Sequence, residues 1–299
     1  MKPKLLAMAI AIALLFAAVP GLVGFIGETA SYGRELPLEL EYKGTKYIQT
    51  WGIIPEEQMI RSNLIRSSEW TGGYEIYISP YIQPPYDEIY VRQPGYGCIL
   101  YVTEASTQAG RQILEIRQGV SSYISGNKGL ATVTVNPSSY PTADQAARRV
   151  LGYWDNSDSA VTNTKYLLYT EATKSAVTSE LDDSNLRYWF SVGHGNKDLI
   201  AVYGGSMYYY DFNGLDGLKD AGIVLNSCYT YNGRLKQSIT AERPAFYMAG
   251  AIALPVGPSE EVSGDFWYFY SVLHFDEVTA LNMAVQQNPG TDGWFGLWT

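Results

Sequence analysis

Two short apolar segments, each followed by a chemically reactive side chain, constrain the fold of this chain more than any other feature. Residues 186–192 read Leu-Arg-Tyr-Trp-Phe-Ser-Val and lead into Gly193-His194-Gly195. Residues 221–227 read Ala-Gly-Ile-Val-Leu-Asn-Ser and lead into Cys228. Short apolar runs rich in β-branched and aromatic residues are typical of strands buried on both faces of a parallel sheet. Since ligands bind beyond the carboxyl ends of such strands, His194 and Cys228 are expected at one sheet edge.

A thiol and an imidazole at one sheet edge are suited to nucleophilic catalysis. A thiol attacks only as the thiolate, so a catalytic cysteine needs a base or a positive charge nearby. His194 could deprotonate Cys228 and then protonate a leaving amine. The backbone N–H of Gly195, a residue without a side chain, could approach the oxyanion, and the N–H of Cys228 is a second candidate donor. The second histidine, His274, follows an apolar helix and is expected at the surface.

Strand-like and helix-like segments alternate from residue 98 onward. Strands are predicted at 98–103, 131–135, 166–169, 186–192, 221–227 and 245–254, and helices at 108–125, 142–154, 173–181, 234–241, 262–273 and 276–287. The segment between His194 and Cys228 is interpreted as a loop rich in Gly and Tyr. This alternation predicts a three-layer α/β domain with a mostly parallel sheet over residues 98–299.

The segment before residue 98 has a different pattern. Residues 28–97 predict a small β-rich region, with strands at 39–42, 46–51, 74–79 and 87–92 and a short helix at 55–65. Nothing in it has the spacing of a catalytic motif. The sequence leaves open whether it is an accessory region or a propeptide.

The N-terminal segment predicts export. Lys2 and Lys4 precede an uncharged stretch over residues 5–27, so residues 1–27 are interpreted as a signal peptide or a membrane anchor. Both interpretations place the remaining chain outside the cytoplasm, either secreted or anchored to the cell membrane through residues 5–27.

The order and spacing of these motifs resemble the caspase-like cysteine peptidases, which include gingipains, clostripain and the CHAT domain. The resemblance rests on Trp189-Phe-Ser-Val-Gly-His194-Gly195 and Ile223-Val-Leu-Asn-Ser-Cys228, and residues 249–256 are similar to the family's next strand. It covers about residues 98–299. It implies a caspase-like peptidase domain with His194 as base and acid, Cys228 as nucleophile and Gly195 in the oxyanion site. Many relatives have Gly soon after the cysteine, whereas residues 229–232 here read Tyr-Thr-Tyr-Asn.

The resemblance implies a protein or peptide as substrate. A carboxylate near the cleft would favour Arg or Lys before the cleaved bond, and four acids could supply it: Asp211, Glu260, Glu261 and Asp265. Solvated surface carboxylates are the competing interpretation of these four. No cofactor is implied, and no two His or Cys residues are close enough in sequence to suggest a zinc pair. The net charge of −9 and the lack of a Lys/Arg block argue against nucleic acid as a partner.

Two other functions fit the same residues. One is a catalytically silent surface-binding protein, favoured by the 25 tyrosines and the leader of membrane-spanning length. The other is an acyl transferase that uses the same pair. Both cysteines are predicted to be free thiols, because Cys98 begins its strand whereas Cys228 ends its own. In parallel strands the two thiols would lie roughly 17–20 Å apart, and a disulfide needs Cα atoms within about 7 Å.

Overall fold

A computed structural model describes residues 36–59, 64–69, 71–80, 84–93, 97–107, 113–115 and 124–299. Its strands are β1 (Glu39–Tyr42), β2 (Thr45–Ile54), β3 (Ile65–Arg66), β4 (Ile76–Ile78), β5 (Glu88–Gln93), β6 (Gly97–Val102), β7 (Ile113–Glu115), β8 (Lys128–Val133), β9 (Asn163–Leu168), β10 (Leu186–Val192), β11 (Gly195–Asn196), β12 (Leu199–Val202), β13 (Gly205–Tyr208), β14 (Gly222–Asn226), β15 (Phe246–Gly250) and β16 (Phe295–Trp298). Its α-helices are α1 (Glu56–Met59), α2 (Pro141–Ser157), α3 (Lys174–Leu181), α4 (Gly233–Ala241), α5 (Pro258–Trp267) and α6 (Glu277–Gln287).

Seven of these strands form a mostly parallel sheet in the order β7-β16-β15-β14-β10-β8-β9. Every neighbouring pair is parallel except β15 and β16. Strands β10 and β14 lie side by side near its centre, and all their residues are buried except Arg187. Such burial explains their continuous apolar sequences, because both faces of the sheet are covered by helices.

Helices pack on both faces of this sheet. Alternate side chains of β10 and β14, such as Phe190 and Val224, belong to one apolar core together with residues of α2, α5 and α6. Their neighbours Trp189 and Ile223 belong to a second core together with residues of α3 and α4. The period of two along each strand divides its side chains between these cores. The predicted three-layer α/β class with a mostly parallel sheet is confirmed.

A second sheet has nine strands and is mostly antiparallel. Its order is β13-β12-β11-β2-β6-β5-β4-β3. Strand β1 lies off this path and pairs antiparallel with residues 45–48 of β2. The predicted β-rich N-terminal region is thus present. Strands β11 to β13 join the sheet from the segment between His194 and Cys228, so the interpretation of that segment as a loop is wrong. Strand β11 pairs with β2 in parallel through Gly195 and Gly52.

Two further sequence predictions are wrong. Of the predicted helix at 108–125, the structure describes residues 113–115, which form strand β7, and residues 124–125, which have no regular secondary structure. Strand β6, which carries Cys98, belongs to the antiparallel sheet rather than the parallel one. Cys98 and Cys228 are both free and fully buried, but the reason given for this, two parallel strands of one sheet, does not hold.

The leader and the domain boundaries stay predictions. Residues 1–27 lie outside the described residues. In the described part of the chain, no helix combines the length and the apolar character that crossing a membrane requires. Residues 37–299 form one compact unit, within which the predicted boundary at residue 98 falls inside strand β6.

Asp276 begins helix α6, as the sequence predicted. Its carboxylate accepts hydrogen bonds from the Thr279 N–H at 2.9 Å and the Thr279 hydroxyl at 2.7 Å. These bonds lower the pKa of Asp276. We expect Asp276→Ala to lower the free energy of unfolding by about 1 kcal/mol at neutral pH in urea titrations. Asp276→Asn keeps a capping oxygen and should recover most of that loss, and an equal loss in both variants would contradict the capping role.

Candidate active site

The carboxyl ends of β10 and β14 place the two reactive residues side by side in the fold. Val192 and Asn226 are opposite each other in the parallel pairing, and the Gly193 N–H donates to the Asn226 carbonyl at 3.2 Å. A Cβ atom on Gly193 would lie 2.0 Å from Thr134 Oγ1, so the turn into His194 has no room for a side chain. His194 and Cys228 therefore follow neighbouring strands at one edge, which is where the sequence predicted them.

His194 lies in an aromatic environment, and only 3% of it is exposed. Its ring centroid is 5.1 Å from the Trp51 ring and 5.8 Å from the Tyr140 ring. Burial lowers the pKa of His194 to about 4, although a main-chain hydrogen bond to Trp51 acts in the opposite direction. Its Nδ1 has no hydrogen-bond partner among the described residues. In this conformation His194 is neutral at physiological pH.

Cys228 is fully buried. Its Sγ accepts a hydrogen bond from the Leu254 N–H at 3.0 Å. Burial raises the pKa of the Cys228 thiol to about 12, and polar contacts with Thr50 and with the main chain of Leu254 and Trp51 offset only part of this effect. A thiol with that pKa is protonated at neutral pH, so Cys228 is not a nucleophile in this conformation.

Residues 50–52 of strand β2, here called the plug, contact both reactive side chains. Among the described residues no hydrogen bond joins the His194 ring to Cys228 Sγ, and each of them instead approaches the main chain of Trp51. The Trp51 side chain is fully buried. Strand β2 therefore covers both side chains in this conformation.

The plug results from an irregularity in strand β2. The β2–β6 pairing passes from Gln49 opposite Tyr101 to Ile53 opposite Ile99, so three residues of β2 face one residue of β6. Such a bulge bends a strand and re-aims its side chains. Thr50 Oγ1 stabilises it by donating to the Leu100 carbonyl at 2.9 Å and accepting from the Gly52 N–H at 3.0 Å. This bulge was not predicted, although Gly52 inside a strand is a signal for a bulge or a close backbone approach.

Gly195, the predicted oxyanion residue, is buried where β11 meets the segment that follows Cys228. A Cβ atom on it would lie 3.0 Å from both Ser227 Cβ and Thr230 Cγ2. Tyr229, directly after Cys228, has a φ of +56°. A left-handed conformation costs a non-glycine residue about 1–2 kcal/mol. The segment after the cysteine thus carries local backbone strain at a position next to the thiol.

The four acids proposed for substrate recognition each have a local structural partner. Two of them form ion pairs, Asp211 with Lys174 at 2.7 Å and Glu261 with Arg149 at 2.8 Å. The other two accept hydrogen bonds near helix ends, Glu260 from the Gly257 N–H at 2.7 Å and Asp265 from the Asn288 side chain at 2.9 Å. Burial raises the pKa of Glu260 despite the hydrogen bonds that its carboxylate accepts.

A cavity of about 450 Å³ lies beside the plug. Gly195 and Tyr229, the residues that directly follow His194 and Cys228, both line it. Two carboxylates lie in its wall, those of Glu88 and Asp198. None of the four proposed acids lines this cavity. Neither Glu88 nor Asp198 was singled out from the sequence.

Comparisons with known proteins return structural likenesses only. No family model matches the chain, and no curated protein matches it. One similar solved structure is the Arg-specific cysteine proteinase gingipain R (RGPB), with a TM-score of 0.46 and 11% identity over 64% of this chain and 48% of that one. Another is the complex of the pro- and mature domains of Porphyromonas gingivalis RgpB, with a TM-score of 0.42 and 9% identity over 64% and 49%. The chain spans about half the length of these structures, and neither likeness decides its family or its activity.

Proposed function

We propose that this chain is a cysteine peptidase of the caspase-like type, held closed by its own strand β2. The observation that supports this most is the position of His194 and Cys228 after the neighbouring parallel strands β10 and β14. A base and a thiol that follow adjacent strands of a parallel sheet share the edge where substrates bind. The protein has two histidines in all, and one of them lies at this position.

The chemistry begins when the plug moves away from Cys228. Water then reaches both side chains, and the burial that holds the pKa of Cys228 high and the pKa of His194 low is removed. His194 takes the thiol proton, and Cys228 Sγ attacks the carbonyl carbon of a peptide bond. The N–H groups of Gly195 and Cys228 stabilise the oxyanion, and His194 protonates the departing amine. Water activated by His194 hydrolyses the thioester and restores the thiol.

The substrate of this reaction is a protein or a peptide outside the cytoplasm. This location follows from the leader, whose residues 5–27 would either be removed with a signal peptide or tether the enzyme to a membrane. A basic residue before the cleaved bond is one substrate preference that we propose. Its partner would be Asp211, Glu260, Glu261 or Asp265, each of which would first have to leave its present contacts.

A peptidase assay on an opened form tests the proposal. The full chain with Trp51→Ala is incubated with unfolded casein, and new termini are mapped by mass spectrometry. We expect cleavage that falls to the level of a buffer control when Cys228→Ala or His194→Ala is added. His274→Gln in the same background is the matched control, because His274 is exposed and should leave cleavage unchanged. An added primary amine that appears at the new carboxyl termini would identify acyl transfer instead.

A second candidate function is a catalytically silent binding protein on the same fold. The complete burial of Cys228 and the closed plug favour it. An opened Trp51→Ala chain that stays folded yet cleaves nothing, with Cys228 reacting no faster than a free thiol, would favour this function over the peptidase.

A further inference from the structure

The plug is held in the way that an extended peptide is held in a cleft. Gly52 pairs with Gly195 of β11. The Trp51 N–H also donates to the Leu254 carbonyl at 3.1 Å, and the Val256 N–H donates to the Gln49 carbonyl at 3.4 Å. Addition of an extended strand to exposed backbone edges is a common way for proteins to bind peptides. Strand β11 and residues 254–256, here called the cleft, thus both bind the backbone of an extended segment.

The plug departs from its own sheet in order to reach this cleft. Gln49 and Ile53 pair with β6, whereas residues 50–52 between them bulge out of that ladder. The backbone of the bulge is therefore free of the regular β2–β6 pairing and forms contacts with the parallel-sheet edge. Bulges of this kind occur next to active sites, where they direct a side chain to a specific position.

The side chain that the bulge delivers is Trp51. Its ring lies against His194 and Tyr140, with a centroid distance of 5.1 Å to each ring. Tyr140 is in turn held from strand β2, because Gln49 Nε2 donates to its hydroxyl at 2.9 Å. Trp51 Nε1 has no hydrogen-bond partner among the described residues. The contacts at this site are therefore made by the aromatic ring of Trp51 and not by its indole N–H.

We propose that the plug stands in for the substrate, and that the cleft binds an extended polypeptide with an aromatic residue in the place of Trp51. This inference rests on the proposed peptidase function and specifies its substrate class. Aromatic rings against Tyr140 and His194 recover the edge and face contacts that Trp51 makes. A basic side chain would bury its charge between two rings with no carboxylate in these contacts, which is unfavourable. Phenylalanine should replace tryptophan well, because the indole N–H is unpaired.

Peptide binding tests this inference without any catalytic step. The full chain with Cys228→Ala and Trp51→Ala is titrated with a fluorescent peptide of residues 45–54, Thr-Lys-Tyr-Ile-Gln-Thr-Trp-Gly-Ile-Ile. Three further peptides carry Phe, Ala or Arg in place of the Trp. We expect the Trp and Phe peptides to bind at least about tenfold more tightly than the Ala and Arg peptides.

The matched control is the Cys228→Ala chain with Trp51 intact, in which the plug competes and all four peptides should bind more weakly. If Trp51→Ala does not unfold cooperatively, and is therefore not properly folded, the peptide titrations are repeated with Trp51→Leu, which retains more of the buried volume. Equal binding of the four peptides, or preference for the Arg peptide, would overturn the inference. If casein is not cleaved but the Trp and Phe peptides still bind more tightly than the Ala and Arg peptides, the proposed peptidase activity is wrong and the proposed binding preference stands.

Discussion

Cys228 in the folded protein should react with iodoacetamide roughly three orders of magnitude more slowly than a free thiol at pH 7. The reason is its pKa of about 12, raised by burial. An ordinary cysteine with a pKa near 8.5 is ~3% thiolate at pH 7, whereas a pKa near 12 leaves roughly one part in 10⁵. Labelling kinetics mapped to each cysteine by mass spectrometry measure the effect, and the same chain in denaturant gives the reference rate.

The other thiol provides an internal control. Burial also raises the pKa of Cys98 to about 12, and Cys98 lies on β6 rather than at the parallel-sheet edge. Trp51→Ala should therefore accelerate labelling of Cys228 and leave Cys98 slow. Adding His194→Ala should slow Cys228 again if the imidazole activates it. Labelling of Cys228 at the rate of a free thiol in the unmodified folded chain would contradict the closed conformation.

Acidification should weaken the fold through His194. Its pKa is about 4 in the folded protein because of burial, whereas histidine in an unfolded chain titrates near ~6.5. Above pH ~6.5 His194 is unprotonated in both the folded and the unfolded chain, and its protonation does not reduce the free energy of unfolding. Between those two values the unfolded chain is protonated and the folded chain is not, so stability falls as the pH falls. The loss approaches about 3 kcal/mol near pH 4.

Urea titrations between pH 7.5 and 4 measure this effect as a difference between variants. Carboxylates contribute to acid unfolding in every variant, so the loss must be compared with that of His194→Gln, which keeps a polar side chain but does not titrate. His274→Gln is the control for the exposed histidine and should follow the unmodified chain. Parallel stability curves for the unmodified chain and His194→Gln would show that His194 is not buried in its neutral form.

Much of the parallel sheet was predictable because its strands are buried on both faces. Strand β10 spans Leu186–Val192, as the apolar run predicted, and α3 follows Thr173, whose side chain accepts from the Ala176 N–H. Local signals sufficed here, since burial dictates apolar composition and a helix start needs a capping oxygen. The neighbouring strand ends that bear His194 and Cys228 followed from the same reasoning.

The parts that were missed depend on long-range pairing. Strand β6 has a continuous apolar sequence, which fits a parallel core strand as well as the centre of the antiparallel sheet that it occupies. Strands β11 to β13 are two to four residues long, and they become strands only because β2 offers an edge to β11. The placement of Trp51 against His194 arises from chain segments far apart in sequence, and no local periodicity encodes it.

The pairing of β2 with β11 also sets an order of events during synthesis. Asn196 Nδ2 donates to the Ile53 carbonyl across 143 residues of sequence. At a synthesis rate of about 5–20 residues per second, Asn196 is therefore translated roughly 7–30 s after Ile53. Pro255, which bridges to Thr50, follows later still. Closure of the cleft therefore cannot be completed before residues 195–256 have been made, although strand β2 itself is among the first segments to be synthesised.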